Sequence, residues 1–158
     1  MTCDLRPPER RRQREASPAV EVDRNGFEVL DRDECLRLLD TAVIGRVGIS
    51  TRALPAILPV TFRRDGDRIL FRTGEGTKLA TATRNSVVSF EVDDVDPRAH
   101  TGWSVLVIGV ARRLAGDEAA RLATELPRWG SANGSHVVAI TAELVSGRRL
   151  PPGSADAA

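Results

Sequence analysis

The sequence predicts a mainly β domain of α+β type, a six-stranded antiparallel barrel carrying short helices, and three observations lead there. Six short runs rich in β-branched residues are separated by glycine, proline and aspartate, the punctuation of antiparallel strands. The helical patterns between them are too short for successive parallel crossovers, which disfavours a doubly wound sheet. Trp103 to Ala111, the fifth run, is apolar on both faces, so each face needs a cover. A closed barrel covers one face, and a partner subunit is the simplest cover for the other.

The elements follow in order. Leu30-Asp31-Arg32-Asp33-Glu34 has a capping-box pattern with Asp31 as N-cap, opening a helix whose Leu36 and Leu39 face the core with Cys35 beside them. Val43 to Ser50 is the first strand, interrupted by glycines. Leu54 to Phe62 is the second, and its Pro55 and Pro59 cannot donate to a ladder, so it lies at an edge or bulges where something other than a strand meets it. Asp65-Gly66 makes the tight turn into a third strand, Arg68 to Thr73. A short helix from Thr77 to Thr83 turns Leu79, Ala80 and Ala82 inward. Ser86 to Asp93 is the fourth strand, closed by an acidic loop through Asp94, Asp96 and Pro97. After the fifth strand come a helix from Asp117 to Leu126, a loop holding Pro127, Trp129, Gly130 and Gly134, and a sixth strand from His136 to Ala142. Residues 1–26 read as a disordered Arg/Pro-rich tail, 27–150 as the folded domain and 151–158 as a loose end.

A formal charge of +1 argues against a nucleic-acid partner, because the basic excess sits in the solvated tail around Arg10, Arg11, Arg12 and Arg14. With no apolar run of secretory or membrane-spanning length, the expectation is a soluble cytoplasmic protein without a membrane partner. Cys3 and Cys35 form no CxxC spacing, and His100 and His136 are far apart and read as surface or turn residues, so no disulfide or metal site is expected. The acidic loop reads as a solvated turn rather than a metal cage.

Chemistry concentrates in Phe71-Arg72-Thr73-Gly74-Glu75-Gly76-Thr77-Lys78-Leu79, which holds the sole lysine of the chain. The segment runs from a strand end through two glycines into a helix start, with two hydroxyls and a flexible ammonium. Unpaired N–H groups and the helix dipole favour an anion there, which reads as a phosphate seat. Taken by itself the segment is equally compatible with turn-forming glycines, a capping Thr77 and a solvated Lys78.

In order and separation, four stretches resemble the FMN-binding split-barrel family related to pyridoxamine 5'-phosphate oxidase, in particular its short actinobacterial-type members. They are Leu58-Pro59-Val60-Thr61-Phe62, the segment Phe71 to Leu79, Phe90-Glu91-Val92-Asp93-Asp94, and Gly102 to Gly109. The resemblance spans about Leu30 to Leu150. It implies a split β-barrel, FMN as cofactor and a homodimer with the flavin at the subunit interface. It places Pro59, Val60, Thr61 and Phe62 along the isoalloxazine ring, Arg72 and Thr73 at the end of the third strand, Thr77 and Lys78 at the phosphate, and Ser104 at a weaker flavin contact, where a serine replaces a longer amide. Arg148 and Arg149 resemble an ending that reaches the partner's site, and salt bridges at a strand end explain them as well. Trp129 fits contact with a ligand or with the partner equally. The arginines and histidines that hold substrate phosphate in the oxidases proper are not found, so vitamin-B6 oxidation is not expected.

No Ser/His/Asp or Cys/His set stands out, as expected where a cofactor carries the redox chemistry. The function implied is an FMN-dependent oxidoreductase acting on a small organic molecule, with no catalytic side chain assigned. Two alternatives stand beside it. One is a deazaflavin-dependent reductase, whose cofactor's acidic tail would need a basic groove from Arg46, Arg63 and Arg64. The other is a non-enzymatic flavin- or haem-binding protein, with His100 or His136 as axial ligand.

Overall fold

A computed structural model describes residues 20–127 and 136–150, except the side chains of Lys78 and Ala82. The elements run β1 (Glu28–Leu30), α1 (Arg32–Leu39), β2 (Ile44–Thr51), β3 (Leu54–Asp65), β4 (Arg68–Thr73), α2 (Lys78–Ala82), β5 (Ser86–Asp96), β6 (Thr101–Arg113), α3 (Gly116–Glu125), β7 (His136–Thr141) and β8 (Leu144–Leu150). Residues 1–19 and 151–158, and Trp129 with its loop, lie outside the described residues.

Every strand pairing is antiparallel, and six strands close a barrel in the order β6-β5-β2-β3-β4-β7, returning to β6. β6 makes both the closure and the split. One of its edges pairs with β5 throughout, from Ser86↔Ala111 to Asp96↔Thr101. Its other edge takes β8 over Gly102 to Ile108 and then β7 over Ala111 to Arg113. β8 in turn carries β1, so the sheet extends outward from the seam by two strands. The six expected strands are the barrel, and β1 and β8 are additions. The β8 sequence hides because Gly147 breaks its alternation; a Cβ there would stand 2.6 Å from Cys35 Sγ, so the glycine lets α1 pack onto the strand.

Inward-facing Val47, Phe62, Ile69, Phe71, Phe90, Val92, Val105, Val107 and Ile140 fill the barrel. At its centre the Phe62 and Phe90 rings meet edge to face, 4.8 Å between centroids. A second cluster, Leu70, Leu122, Leu126, Val137 and Ala139, packs α3 onto the outer side of β4 and β7. α1 buries Cys35 and Leu39 and packs Leu36 half-buried against the core as expected, and it buries Leu38 in addition. Asp31 caps this helix, accepting from the Glu34 N–H at 2.8 Å, while the Glu34 carboxylate turns to Arg37 and Arg149 instead of closing the box.

One expectation changes, and the edge expected at the β3 prolines is present. The acidic stretch Asp93 to Asp96 is strand, paired with Ser104 to Thr101, and the turn follows it where Asp96 accepts from the Arg98 and Ala99 N–H groups. Its polarity reflects a hairpin that runs beyond the core, where neither face is buried. The prolines of β3 are at an edge, although the strand is internal to the barrel. From Leu54 to Thr61 it pairs with β2 alone, and β4 joins it only from Phe62 to Asp65. The Asp65-Gly66 turn is present, with the positive φ of 60° at Gly66.

Candidate functional site

β3 and β4 part at the Phe62↔Phe71 pair, and the opening between them holds most of the residues singled out in the sequence. β4 continues as Arg72 and Thr73 against Val137 and His136 of β7. β3, traced back from Thr61 to Leu54, has no second strand among the described residues, so main-chain groups on that edge take part in no second ladder there.

Strand alternation divides the four β3 candidates. Val60 and Phe62 are 8% and 3% exposed and point into the core, so only their main chain can meet a ring lying along the strand. Pro59 and Thr61 face outward, Pro59 exposed and Thr61 half-buried with its hydroxyl 3.5 Å from the Pro127 carbonyl.

Across the opening, Thr73 and Thr77 are joined hydroxyl to hydroxyl at 2.8 Å. Thr77 is the N-cap of α2: extended backbone lets its oxygen accept the Ala80 N–H at 3.0 Å, and its hydroxyl also reaches the Gly74 carbonyl. Gly76 has φ 71°, a left-handed value that needs glycine here. Thr73 is 5% exposed and Thr77 exposed, so the pair spans from the barrel wall to the surface. Lys78 is the first residue of α2; its side chain lies outside the described part.

Arg72 and Thr73, being neighbours on a strand, face opposite sides of β4. Arg72 lies under α3, where its guanidinium donates to the Ala123 carbonyl. It is thereby separated from the two hydroxyls, and the structure does not gather Arg72 and Thr73 on one face. His136 stands across the ladder from Thr73, its side chain 10% exposed and its Nε2 3.9 Å from Glu75 Oε1. This histidine is largely buried at a strand start, unlike the surface residue expected; His100 does sit in a turn, with φ 51°. Ser104 is exposed on the outer face of β6, across from Asp93 and Arg148, and three strands from β3 in the barrel order.

The other arginines singled out in the sequence are matched within the chain. Arg46 pairs with Glu91 at 3.1 Å and with Asp93, Arg63 with Glu125, and Arg64 with Asp40. Burial, followed by the Asp93 charge, raises the Glu91 carboxyl above its usual range despite Arg46. Arg148 pairs with Asp23 at 3.0 Å, and Arg149 with Glu28 and Glu34. Among the described residues no group of His, Cys, Asp and Glu is arranged to hold a metal ion, and no helix is long and apolar enough to cross a membrane.

Against known proteins, the family model described as pyridoxamine 5'-phosphate oxidase matches residues 31–149. The chain belongs to this family. Among family relatives, the uncharacterized protein Rv0080 of Mycobacterium tuberculosis is 42% identical over 127 residues, 77% of this chain and 84% of that protein. The FAD binding protein from Mycobacterium smegmatis superposes with a TM-score of 0.65 at 33% identity, covering 79% of this chain and 99% of that one. An FAD-binding protein from Mesorhizobium loti shares the fold, with a TM-score of 0.66 at 20% identity over 78% of this chain and 96% of that one. The barrel with its parted β3 and β4 is therefore the pyridoxamine 5'-phosphate oxidase-like flavin-binding fold.

Proposed function

We propose that this protein is a flavin-dependent oxidoreductase that binds FMN in the opening between β3 and β4 and acts on a small organic molecule. The observation that carries the reading is the unpaired stretch of β3, Leu54 to Thr61, ending beside the Thr73–Thr77 hydroxyl pair. A planar ring can lie along a strand edge that offers main-chain donors and acceptors, and a phosphate fits the hydroxyls and helix start. The residues fit that cofactor in two further respects. The Thr73 hydroxyl can turn from Thr77 to an anion without leaving a buried group unbonded, and the position of Lys78 at the start of α2 supplies the positive charge a phosphate needs.

When bound, the flavin supplies the hydride or electron transfer. The chain's own part is to hold and orient it: Pro59 and Thr61 with the main chain of Val60 and Phe62 beneath the ring, Thr73, Thr77 and Lys78 at the phosphate. Arg72, turned to the α3 side of β4, lies off this seat. Ser104, three strands away, belongs to a site completed by a second copy, and so the proposal includes a homodimer. Its contact surface is the outer face of the sheet, where Ile44, Ile57, Val87, Leu106 and Leu144 are exposed hydrophobics. Arg46, Arg63 and Arg64, needed for a deazaflavin groove, are each matched by a carboxylate, which favours a flavin.

The visible spectrum of the purified protein tests this reading. Flavin bands, or their appearance on adding FMN, are expected; a colourless protein that takes up no flavin overturns it. One second reading has support, a flavin carrier without turnover, since the M. smegmatis neighbour is described only as FAD binding. Anaerobic addition of reduced nicotinamide separates the two: bleaching of the bound flavin marks the enzyme.

A further inference from the structure

The loop that joins Thr73 to Thr77 carries a carboxylate, Glu75, between two glycines. A carboxylate so near the hydroxyl pair would repel a phosphate bound there. The structure brings this one to His136, whose Nε2 lies 3.9 Å from Glu75 Oε1. The two partners are unequal: the Glu75 side chain is 84% exposed, and that of His136 is 10% exposed.

Strand register puts His136 in this place. It is paired with Thr73 across the β4–β7 ladder, and directly opposed residues send their side chains to the same face, with Cβ atoms about 4.5–5.5 Å apart. The next pair along, Arg72↔Val137, points to the other face, where α3 lies. The imidazole therefore stands beside the Thr73–Thr77 hydroxyls. Its contact with Glu75 is within ion-pair range and longer than a hydrogen bond, and no hydrogen bond reaches the ring among the described residues. A largely buried ring always has an N–H to give, so an acceptor that comes closer than Glu75 is favoured there.

We infer that His136 is a further residue of the phosphate seat, and that Glu75 is its partner only until a phosphate displaces it. The inference rests on the flavin reading, which puts the phosphate at Thr73 and Thr77. A phosphate monoester carries roughly −1.5 to −2 near neutral pH and three strong acceptor oxygens, more than one carboxylate offers. Glycines on both sides let the Glu75 backbone turn aside, and the displaced carboxylate is already at the surface. The exchange makes the seat selective: a flavin with a phosphate gains the imidazole N–H, and one without it leaves the Glu75–His136 pair in place.

Fluorescence titration of FMN, with riboflavin as the phosphate-free control, into the wild type, His136→Gln and Glu75→Gln tests the exchange. His136→Gln is expected to weaken FMN roughly tenfold, one charge-assisted bond being lost. Glu75→Gln is expected to tighten FMN roughly threefold or more, a competing charge being removed. Riboflavin should respond to neither. If the pair merely braces the loop, both substitutions weaken FMN, and that shared sign overturns the proposal; so does an FMN affinity that neither changes. Should His136→Gln fail to fold, the sign of the effect at the exposed Glu75 decides alone. Titration of inorganic phosphate, followed by the chemical shifts of the His136 imidazole, separates this inference from the flavin reading. A protein that takes up no flavin fails that reading; a His136 response to phosphate that strengthens in Glu75→Gln still upholds this one, and no response sinks it.

Discussion

Gly109 lies against Thr141 so closely that a Cβ on the glycine would stand 1.6 Å from the Thr141 carbonyl oxygen. The contact falls where β6 exchanges one neighbour for another, between Ile108, its last partner to β8, and Ala111, its first to β7. The turn from β7 to β8 must cross β6 there, and the crossing leaves no space for a side chain. Gly109→Ala therefore opens the barrel seam, because the obstacle is main chain and cannot rotate away. Destabilisation of at least about 3 kcal/mol is expected, at the upper end for overpacking, read as a lowered urea midpoint.

Replacing Thr73 by Val keeps the shape of a buried side chain and removes its hydroxyl. The stability cost is expected to be about 1 kcal/mol for the lost bond to Thr77, while FMN affinity falls roughly tenfold. Thr77→Ala removes the α2 cap as well, costing about 1 kcal/mol of stability on its own account. Flavin fluorescence titration beside thermal melts separates the two effects; unchanged FMN binding in Thr73→Val would remove the hydroxyl pair from the site.

Lys78→Ala is expected to lower FMN affinity by roughly ten- to a hundredfold, with little change in stability, since a charge-assisted bond to phosphate contributes about 1.5–3 kcal/mol. Riboflavin, which has no phosphate, is the control: its affinity should not respond to the substitution.

Glu34 ties α1 to itself and to β8. Hydrogen bonds from Arg37, then from Arg149, lower its carboxyl from 4.5 to about 2. A carboxylate with a depressed folded-state value stabilises the fold fully above its unfolded value and loses that contribution as pH falls toward the folded one. The wild type is thus expected to lose stability between about pH 4.5 and 2 from this group. Glu34→Gln should be less stable at pH 7 and converge with the wild type near pH 2, measured by urea melts across the range.

The β2–β3 hairpin closes through Arg52 and Ala53, whose φ angles of 51° and 63° place two side-chain-bearing residues in the left-handed region. That two-residue turn favours Asn-Gly. Arg52→Asn with Ala53→Gly relieves the strain and is expected to raise stability by about 1 kcal/mol or more, seen as a higher melting temperature.

Much of this protein is determined locally and so was legible in the sequence. β4 runs from Arg68 to Thr73 as expected, Thr77 caps α2, and Asp31 caps α1, because turn glycines, caps and apolar runs depend on neighbours along the chain. The prolines of β3 announced an unpaired edge before any partner was known, since a missing N–H is a property of the residue. What tertiary structure decided was which side of an element each residue faces and what meets it there. Arg72 and Thr73 stand side by side in the sequence yet lie on opposite faces of β4, one beneath α3 and one at the hydroxyl pair. β8 and its ion pairs to Asp23, Glu28 and Glu34 exist only because the β6 edge is vacant beyond the seam. His136, distant along the chain from Thr73, comes to stand beside it through the β4–β7 ladder.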